Sequence, residues 1–436
     1  MSKLTLISLT FILCTLFSQV LCDDYKIKSV DDWDSSDIST LEDLGLLYLY
    51  HKPANCQSLQ ISDTKIVTLV QGLKAGQNAI TNTEQLTVNN LDGSLHKKID
   101  STPNYYYILG KTNVEGEFVT FNVNSNDKIE MNFYNEDLEI TRNIENEVLP
   151  DSGNFDGFYE ISSSVGNDLL YLVVNAYNNV SQKENYLVYV LDLSDTSTYT
   201  LKYTDEYTDY VVDYYYALSV QAYSDDTANI HFWANNDNGE QTFVQLQYDS
   251  KGKLKSGYPK ELDDPIDLDT DEFWKPITQL HSDEKTATFL LSDTDNLLIY
   301  TFEKNGDKVC SKTIDISDYN NMSNFYGIHG DQGWLYLQDD DDQQGNFFNF
   351  DPENCSLDLD DTIKTDIYSG VAGSFVIKEK IRILEIGNEV DTNNQNYVNY
   401  QIHTIGSYND DDDNGDNGVI LGFQVIIAII GLVVFI

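Results

Sequence analysis

"YYYALSVQAYSDDTANIHFWANNDNGEQTFVQLQYDSKGK", Tyr214 to Lys253, is an aromatic opener followed by one short strand-like run, a second, and a third that closes on a turn. The stretch Trp274 to Lys308, "WKPITQLHSDEKTATFLLSDTDNLLIYTFEKNGDK", has the same order. It returns from Tyr159, with Leu169–Val174 and Tyr186–Leu191 as the next strands, and from Tyr326, with Trp334–Leu337 and Phe347–Phe350. Extended to Leu59, Tyr106 and Tyr368, the series has steps of 42 to 59 residues. Between Tyr48 and Ile405 the apolar residues recur as short alternating or continuous runs rich in Tyr, Val, Ile, Phe and Thr, not at helical spacing. That pattern is all-β.

A period near 50 with three or four short strands per unit predicts a β-propeller, because a lone sheet would expose both faces while radial stacking buries them. Seven blades are expected, with six or eight as alternatives, and the regular step disfavours a pair of β-sandwiches. The openers Tyr159, Tyr215, Trp274 and Tyr326 read as core residues between blades. The last unit lacks a fourth strand, since Tyr397–Thr404 runs into an acidic segment. Leu46–Tyr50, "LLYLY", is expected to supply it and close the ring.

Tyr248–Leu262, "YDSKGKLKSGYPKEL", resembles the D-x-x-G-x-x-x-x-G-[FWY]-P phrase of extracellular propeller repeats of the FG-GAP (integrin-α-like) and quinoprotein-like kinds. The match spans one unit. It implies a propeller blade and, through the D-x-D-x-D-G loops of that family, bound calcium; those loops are not reproduced here. Ser282–Phe289 resembles the turn-stabilising Asp-box of sialidase propellers, with Glu284 and Thr286 at positions where that box has Asp and Gly.

The two ends read as addresses. Met1-Ser2-Lys3 leads into uncharged Leu4–Leu21, and Val20 and Cys22 suit a signal-peptidase cut before Asp23. The expected organisation is a signal peptide at 1–22, an acidic segment at 23–45, a propeller at 46–405, an acidic linker at 406–418 and a hydrophobic tail at 419–436. As a helix, the 18 residues Val419–Ile436 would be about 27 Å long, enough for a span, yet no Lys or Arg follows Arg382. Small Gly406-Ser407, polar Asp410–Gly418 and the apolar tail form the order of a GPI attachment signal, with Ser407 as the attachment residue. A transmembrane tail is the alternative. Either places the protein on the extracellular face of the plasma membrane.

Asn179, Asn321 and Asn354 head N-x-S sequons and are the expected glycosylation sites. Outside the leader the cysteines are Cys56, Cys310 and Cys355; Cys310–Cys355 is the preferred disulfide, with Cys56–Cys355 open.

With 26 Lys+Arg against 72 Asp+Glu, the formal net charge is −46, which opposes nucleic-acid phosphates. The runs Asp339–Asp342 and Asp410–Asp413 allow weak calcium binding, but Asp410-x-Asp412-x-Asn414-Gly415 has Leu421 at its twelfth position, and Asp267-x-Asp269-x-Asp271 has Glu272 where the turn needs Gly. No cofactor or metal ligand set is assigned.

The histidines, His51, His96, His231, His281, His329 and His403, are scattered, and no G-x-S-x-G, P-loop or C-x-x-C motif occurs. No catalytic residue is assigned. With only Arg142 and Arg382, a sialidase-type arginine cluster is excluded. The expected function is a non-catalytic binding or adhesion module for protein or glycan. The alternatives are a carbohydrate-active propeller enzyme using a carboxylate pair, and an acidic surface-coat protein.

Overall fold

The computed structural model describes residues 36–37, 48–49, 56–62, 64–75, 80–90, 95–101, 107–123, 129–142, 155–180, 182–207, 209–210, 218–235, 241–262, 277–282, 285–292, 296–315, 322–328, 333–339, 344–364, 371–377, 380–390 and 396–405. All regular structure among them is β, and among these described residues no helix is long and apolar enough to cross a membrane. The leader, most of the acidic N-terminal segment, the linker and the hydrophobic tail lie outside the described residues.

The described strands form seven antiparallel sheets. Two short strands come first, β1 (Ser36–Asp37) and β2 (Tyr48–Leu49). Sheet 1 has β3 (Cys56–Ser62), β4 (Lys65–Ala75), β5 (Ile80–Asn90) and β6 (Leu95–Ser101). Sheet 2 has β7 (Tyr107–Lys111), β8 (Phe118–Val123), β9 (Ile129–Tyr134) and β10 (Ile140–Arg142). Sheet 3 has β11 (Phe155–Val165), β12 (Leu169–Asn178), β13 (Lys183–Asp192) and β14 (Thr200–Tyr207). Sheet 4 has β15 (Leu218–Ala222), β16 (Ala228–Asn235), β17 (Gln241–Tyr248) and β18 (Lys260–Glu261).

Sheet 5 has β19 (Ile277–Ser282), β20 (Lys285–Ser292), β21 (Asn296–Glu303) and β22 (Lys308–Asp315). Sheet 6 has β23 (Met322–Ile328), β24 (Gly333–Asp339), β25 (Gln344–Asp351) and β26 (Ser356–Lys364). Sheet 7 has β27 (Val371–Ile377), β28 (Lys380–Val390) and β29 (Asn396–Ile405), completed by β1.

Strands run up and down in chain order within each sheet, and each first strand touches the next: β3, β7, β11, β15, β19, β23, β27 and back to β3. A closed circuit of first strands with meandering sheets radiating from it is a β-propeller. The topology gives two rims. The turn rim carries the first-to-second and third-to-fourth connections; the crossing rim carries the second-to-third hairpins and the sheet-to-sheet crossings.

Closure differs from the sequence expectation. Ser36 and Asp37 pair with Ile402 and Gln401 of β29, so the polar β1 is the fourth strand of sheet 7. Tyr48 and Leu49 of "LLYLY" pair instead with Leu73 and Gly72 of β4, on the edge that β3 occupies further along. An outermost strand has one neighbour and a solvated edge, so it is selected for backbone pairing more than for apolar side chains.

A sheet packed on both faces explains the near-continuous apolar runs. In β12 every residue from Leu169 to Ala176 is buried. Leu169, Tyr171 and Val173 join Tyr186, Val188 and Val190 in a core shared with Ile230, Phe232, Val244 and Leu246 of sheet 4. The alternate residues Leu170, Leu172 and Val174 pack with Leu187, Tyr189 and Leu191 against Val119, Phe121 and Phe133 of sheet 2. Each fully buried side chain of this size stabilises the fold by about 1.5–3 kcal/mol relative to exposure. The side chains of the openers Tyr159, Tyr215, Trp274 and Tyr326 lie outside the described set.

Candidate binding surfaces

Polar side chains between sheets fix the frame. Arg142, at the end of β10, is 2% exposed and reaches Glu117 through Nε (3.2 Å to both carboxylate oxygens) and Nη2 (2.8 Å to Oε2). Its Nη1 donates to the carbonyls of Leu193, Asp195 and Thr198 in the β13–β14 turn, at 3.2, 2.9 and 3.0 Å. One arginine thus bolts sheet 2 to sheet 3 at the turn rim. Burial of this pair is sustained because the planar guanidinium finds a partner for each donor direction used. Between sheets 3 and 4 the hydroxyls of Tyr207 and Tyr248 lie 2.8 Å apart, and Tyr248 donates to Asp205 at 3.0 Å. Burial pushes both phenols well above their ordinary range, so both remain neutral donors.

The crossing rim of sheet 3 holds a well-anchored solvent-facing polar group. Glu206 of β14 is exposed, and its Oε1 accepts 3.0 Å hydrogen bonds from the carboxamides of Asn178 and Asn185. Asn175, fully buried, donates to Glu184 Oε2 at 3.3 Å. The buried Oδ1 atoms of Asn175 and Asn185 and the Tyr189 hydroxyl have no hydrogen-bond partner. Carboxamides committed to holding carboxylates give Glu206 a fixed orientation with Oε2 left for solvent or a ligand.

Strand parity places Glu206 beside Leu187, facing sheet 2, and Glu184 beside Tyr186, facing sheet 4. The two carboxylates therefore do not converge as a glycosidase pair must.

His231 and Ser219 face each other across the β15–β16 pairing. Both are buried, and neither the imidazole nitrogens nor Ser219 Oγ has a partner. A nucleophile–base dyad requires a hydrogen bond and access; this pair has neither. His231 stacks between Phe243 at 5.6 Å and Phe302 at 4.3 Å, and burial lowers its pKa from 6.5 to about 3.

Of the sequence-predicted residues, Asn179 is exposed after β12, and Asn354 is exposed in the β25–β26 turn, where its Nδ2 donates to Asp351 at 2.6 Å. Asn321 and Ser407 lie outside the described residues. Cys310 of β22 and Cys355 are joined by a disulfide with S–S 2.03 Å, tying sheet 5 to sheet 6. Cys56 is in β3, its side chain undescribed. Asp339 ends β24; the rest of that run and the Asp267–Asp271 and Asp410–Asp413 stretches lie outside the described residues. No group of three or more His, Cys, Asp or Glu able to hold a metal occurs among the described residues. Ser282 ends β19 and Lys285–Phe289 lie in β20, with Ser282 paired to Lys285.

No family model matches the chain, and no curated protein matches it in sequence. Among solved structures, the chain is similar to the β-propeller domain of the Trilobed protease from Pyrococcus furiosus, at 10% identity and TM-score 0.47, covering 84% of this chain and 98% of that one. It is similar to the BP39L lectin from Burkholderia pseudomallei, at 8% identity and TM-score 0.49, covering 77% and 96%. A Penicillium chrysogenum alpha-L-arabinanase complexed with arabinobiose is matched at 9% identity and TM-score 0.43, covering 85% and 98%. The fold rests on the strand circuit itself. Neither the arginine bolt nor Glu206 was singled out by sequence reasoning, because Glu117 and Arg142, like Asn178 and Glu206, are brought together only by strand register.

Proposed function

We propose that the chain is a membrane-anchored propeller on the extracellular face of the plasma membrane, acting as a non-catalytic binding module for a protein or a glycan. The observation that carries this reading is Glu206: an exposed carboxylate held by two carboxamides at the crossing rim is a fixed acceptor for a sugar hydroxyl or a peptide N–H. The divergence of Glu184 from Glu206 and the closed-off Ser219–His231 pair weigh against hydrolysis at these places. The signal sequence, the Asn179, Asn321 and Asn354 sequons and the Ser407 attachment signal support the location. Blade affinity to the FG-GAP or quinoprotein-like kinds belongs to the same proposal, as does weak calcium binding through charge at Asp339–Asp342.

The test is a glycan and protein array probed with the full-length protein and with Glu206→Gln. Retained array signal in the variant, or turnover of glycoside substrates by the wild type, would overturn the reading. Anchoring is tested separately by phosphatidylinositol-specific phospholipase on intact cells. Release into the medium supports a lipid at Ser407; retention with a recovered Val419–Ile436 peptide means a span.

A further inference from the structure

In a chain of net charge −46, the β17–β18 connection of sheet 4 gathers four lysines. Lys251, Lys253, Lys255 and Lys260 fall within ten residues at the turn rim; Lys251, Lys253 and Lys260 are exposed and Lys255 is half-buried. Among the described residues none is bridged to a carboxylate. The Nζ atoms of Lys253 and Lys260 lie over the rings of Tyr203 and Tyr258, at 5.6 and 4.4 Å, and Lys260 also donates to the Tyr258 hydroxyl at 3.2 Å.

The nearby carboxylates are already engaged. Asp249 Oδ1 accepts the backbone N–H groups of Lys251 and Lys253, at 2.9 and 3.0 Å. Asp192 pairs with Lys202 and Asp225 with Lys304, each at 2.8 Å, while Asp205 accepts from Tyr248. Glu261, exposed in β18, is engaged as well.

The strip is also rigid. Gly252, at φ +77°, sits where an added Cβ would be 2.6 Å from Val190, so the turn is seated on sheet 3. Tyr258 lies against Gly306 of the β21–β22 turn, where an added Cβ would be 2.5 Å from its hydroxyl, so the far end is seated on sheet 5. Lys255 N–H donates to the Gln247 carbonyl at 2.8 Å between these two anchors.

We propose that this strip is a binding site for a polyanionic glycan, one bearing sulfate or uronate groups along its chain. The backbone that carries the lysines is held in place before binding, and their ammonium groups are not shared with a carboxylate among the described residues, which lowers the ordering cost of capture. The acidity of the rest of the chain does not cancel the strip, because at physiological salt charges more than about 8 Å away are largely screened. A glycan is favoured over a lipid surface because no large apolar side chain is exposed among residues 249–262; the exposed ones described are Ile140, Val180 and Leu201. The extracellular location, which rests on the proposed function, favours it over nucleic acid. This site is independent of Glu206 and of what the crossing rim binds.

Full-length protein purified in detergent is titrated with heparin, with neutral dextran and anionic phospholipid vesicles in parallel. Heparin binding is expected, with log affinity against log salt falling at a slope of about −3 if four cations each release about 0.7 counterion. Lys251→Gln/Lys255→Gln/Lys260→Gln should flatten the slope to about −1 and weaken binding at least tenfold. The matching arginine variant should retain binding, and Lys97→Gln/Lys183→Gln, exposed lysines elsewhere, should leave it unchanged. Unchanged circular dichroism keeps a folding failure from being read as lost binding. No heparin binding, equal loss in the remote variant, or binding to vesicles and not heparin would overturn the proposal, whereas a silent Glu206→Gln array result would bear only on the crossing rim.

Discussion

Protonation of His231 should set how the protein fails in acid. The imidazole is fully buried between Phe243 and Phe302, both nitrogens lack partners, and Gln245 and Gln247 are its polar neighbours on the facing layer between sheets 4 and 5. The other described groups of that layer include Ser219, Asn229, Leu298 and Tyr300, so no charged side chain described there could share the proton. Burial lowers the folded pKa to about 3 from 6.5.

The unfolded chain therefore takes up a proton as pH falls through 6.5 while the folded chain does not. Stability from this residue is fully present above that value and is lost progressively between 6.5 and about 3, at up to about 1.4 kcal/mol per pH unit. Between pH 7.5 and 5 the loss comes to about 2 kcal/mol, and any folded value below about 4 gives the same result. His231→Phe removes the ionisation and keeps a ring in the stack, with about 1–3 kcal/mol of overpacking set against the removal of two bare buried nitrogens.

Urea unfolding followed by circular dichroism at pH 7.5 and 5 gives four free energies. Their double difference should be about 2 kcal/mol, the wild type losing more in acid than the variant. His96→Gln, at an exposed histidine 3.0 Å from Asp137, controls for histidine loss in general. Parallel pH profiles for wild type and His231→Phe would refute the reasoning, as would an NMR titration of His231 in the folded protein with a midpoint above 6.

Arg142→Met leaves Glu117 buried and unpaired, so unfolding free energy should fall by about 3–5 kcal/mol, measured by urea titration; a loss below 1 kcal/mol would mean the bolt carries little. Reducing Cys310–Cys355 reopens a span of 45 residues and should lower stability by about 4 kcal/mol on the loop-entropy estimate, read as the shift in denaturation midpoint with and without reductant. Deleting residues 23–45 removes β1 and exposes the edge of β29, so the truncated protein should melt lower and self-associate by light scattering, whereas Ser36→Ala/Asp37→Ala, which keeps the backbone pairing, should melt as the wild type does. Gly252→Ala forces a Cβ into Val190 at a positive φ and should cost about 1–3 kcal/mol in thermal unfolding, with Ser256→Ala on the exposed side of the same turn neutral.

The residues most legible in the sequence were those whose environment repeats. Leu59, Tyr159 and Tyr326 lie inside the first strands β3, β11 and β23, and Tyr106, Tyr215, Trp274 and Tyr368 stand one to three residues before β7, β15, β19 and β27. Middle strands such as Leu169–Asn178, buried on both faces, announce themselves as apolar runs. Fourth strands do not. Thr200–Tyr207 and Lys308–Asp315 are mostly exposed or half-buried, so their composition matches that of loops and only their pairing makes them strands.

The same physics misdirected the closing strand: an apolar "LLYLY" was matched to an outer position that in this chain is filled by polar residues, while Ser36–Asp37 carried no pattern to read. Site residues fared likewise, for a related reason. Arg142 meets Glu117 from 25 residues away and three carbonyls from more than 50, and Glu206 meets Asn178 from 28. Such meetings depend on which strand lies beside which and in what register, and periodicity fixes a strand's face without fixing its register against the neighbour. The lysine strip is the exception that follows from this argument, since its cations fall within ten residues of sequence and its significance lies in what they fail to meet: each nearby described aspartate is held by a hydroxyl, an amide or another lysine.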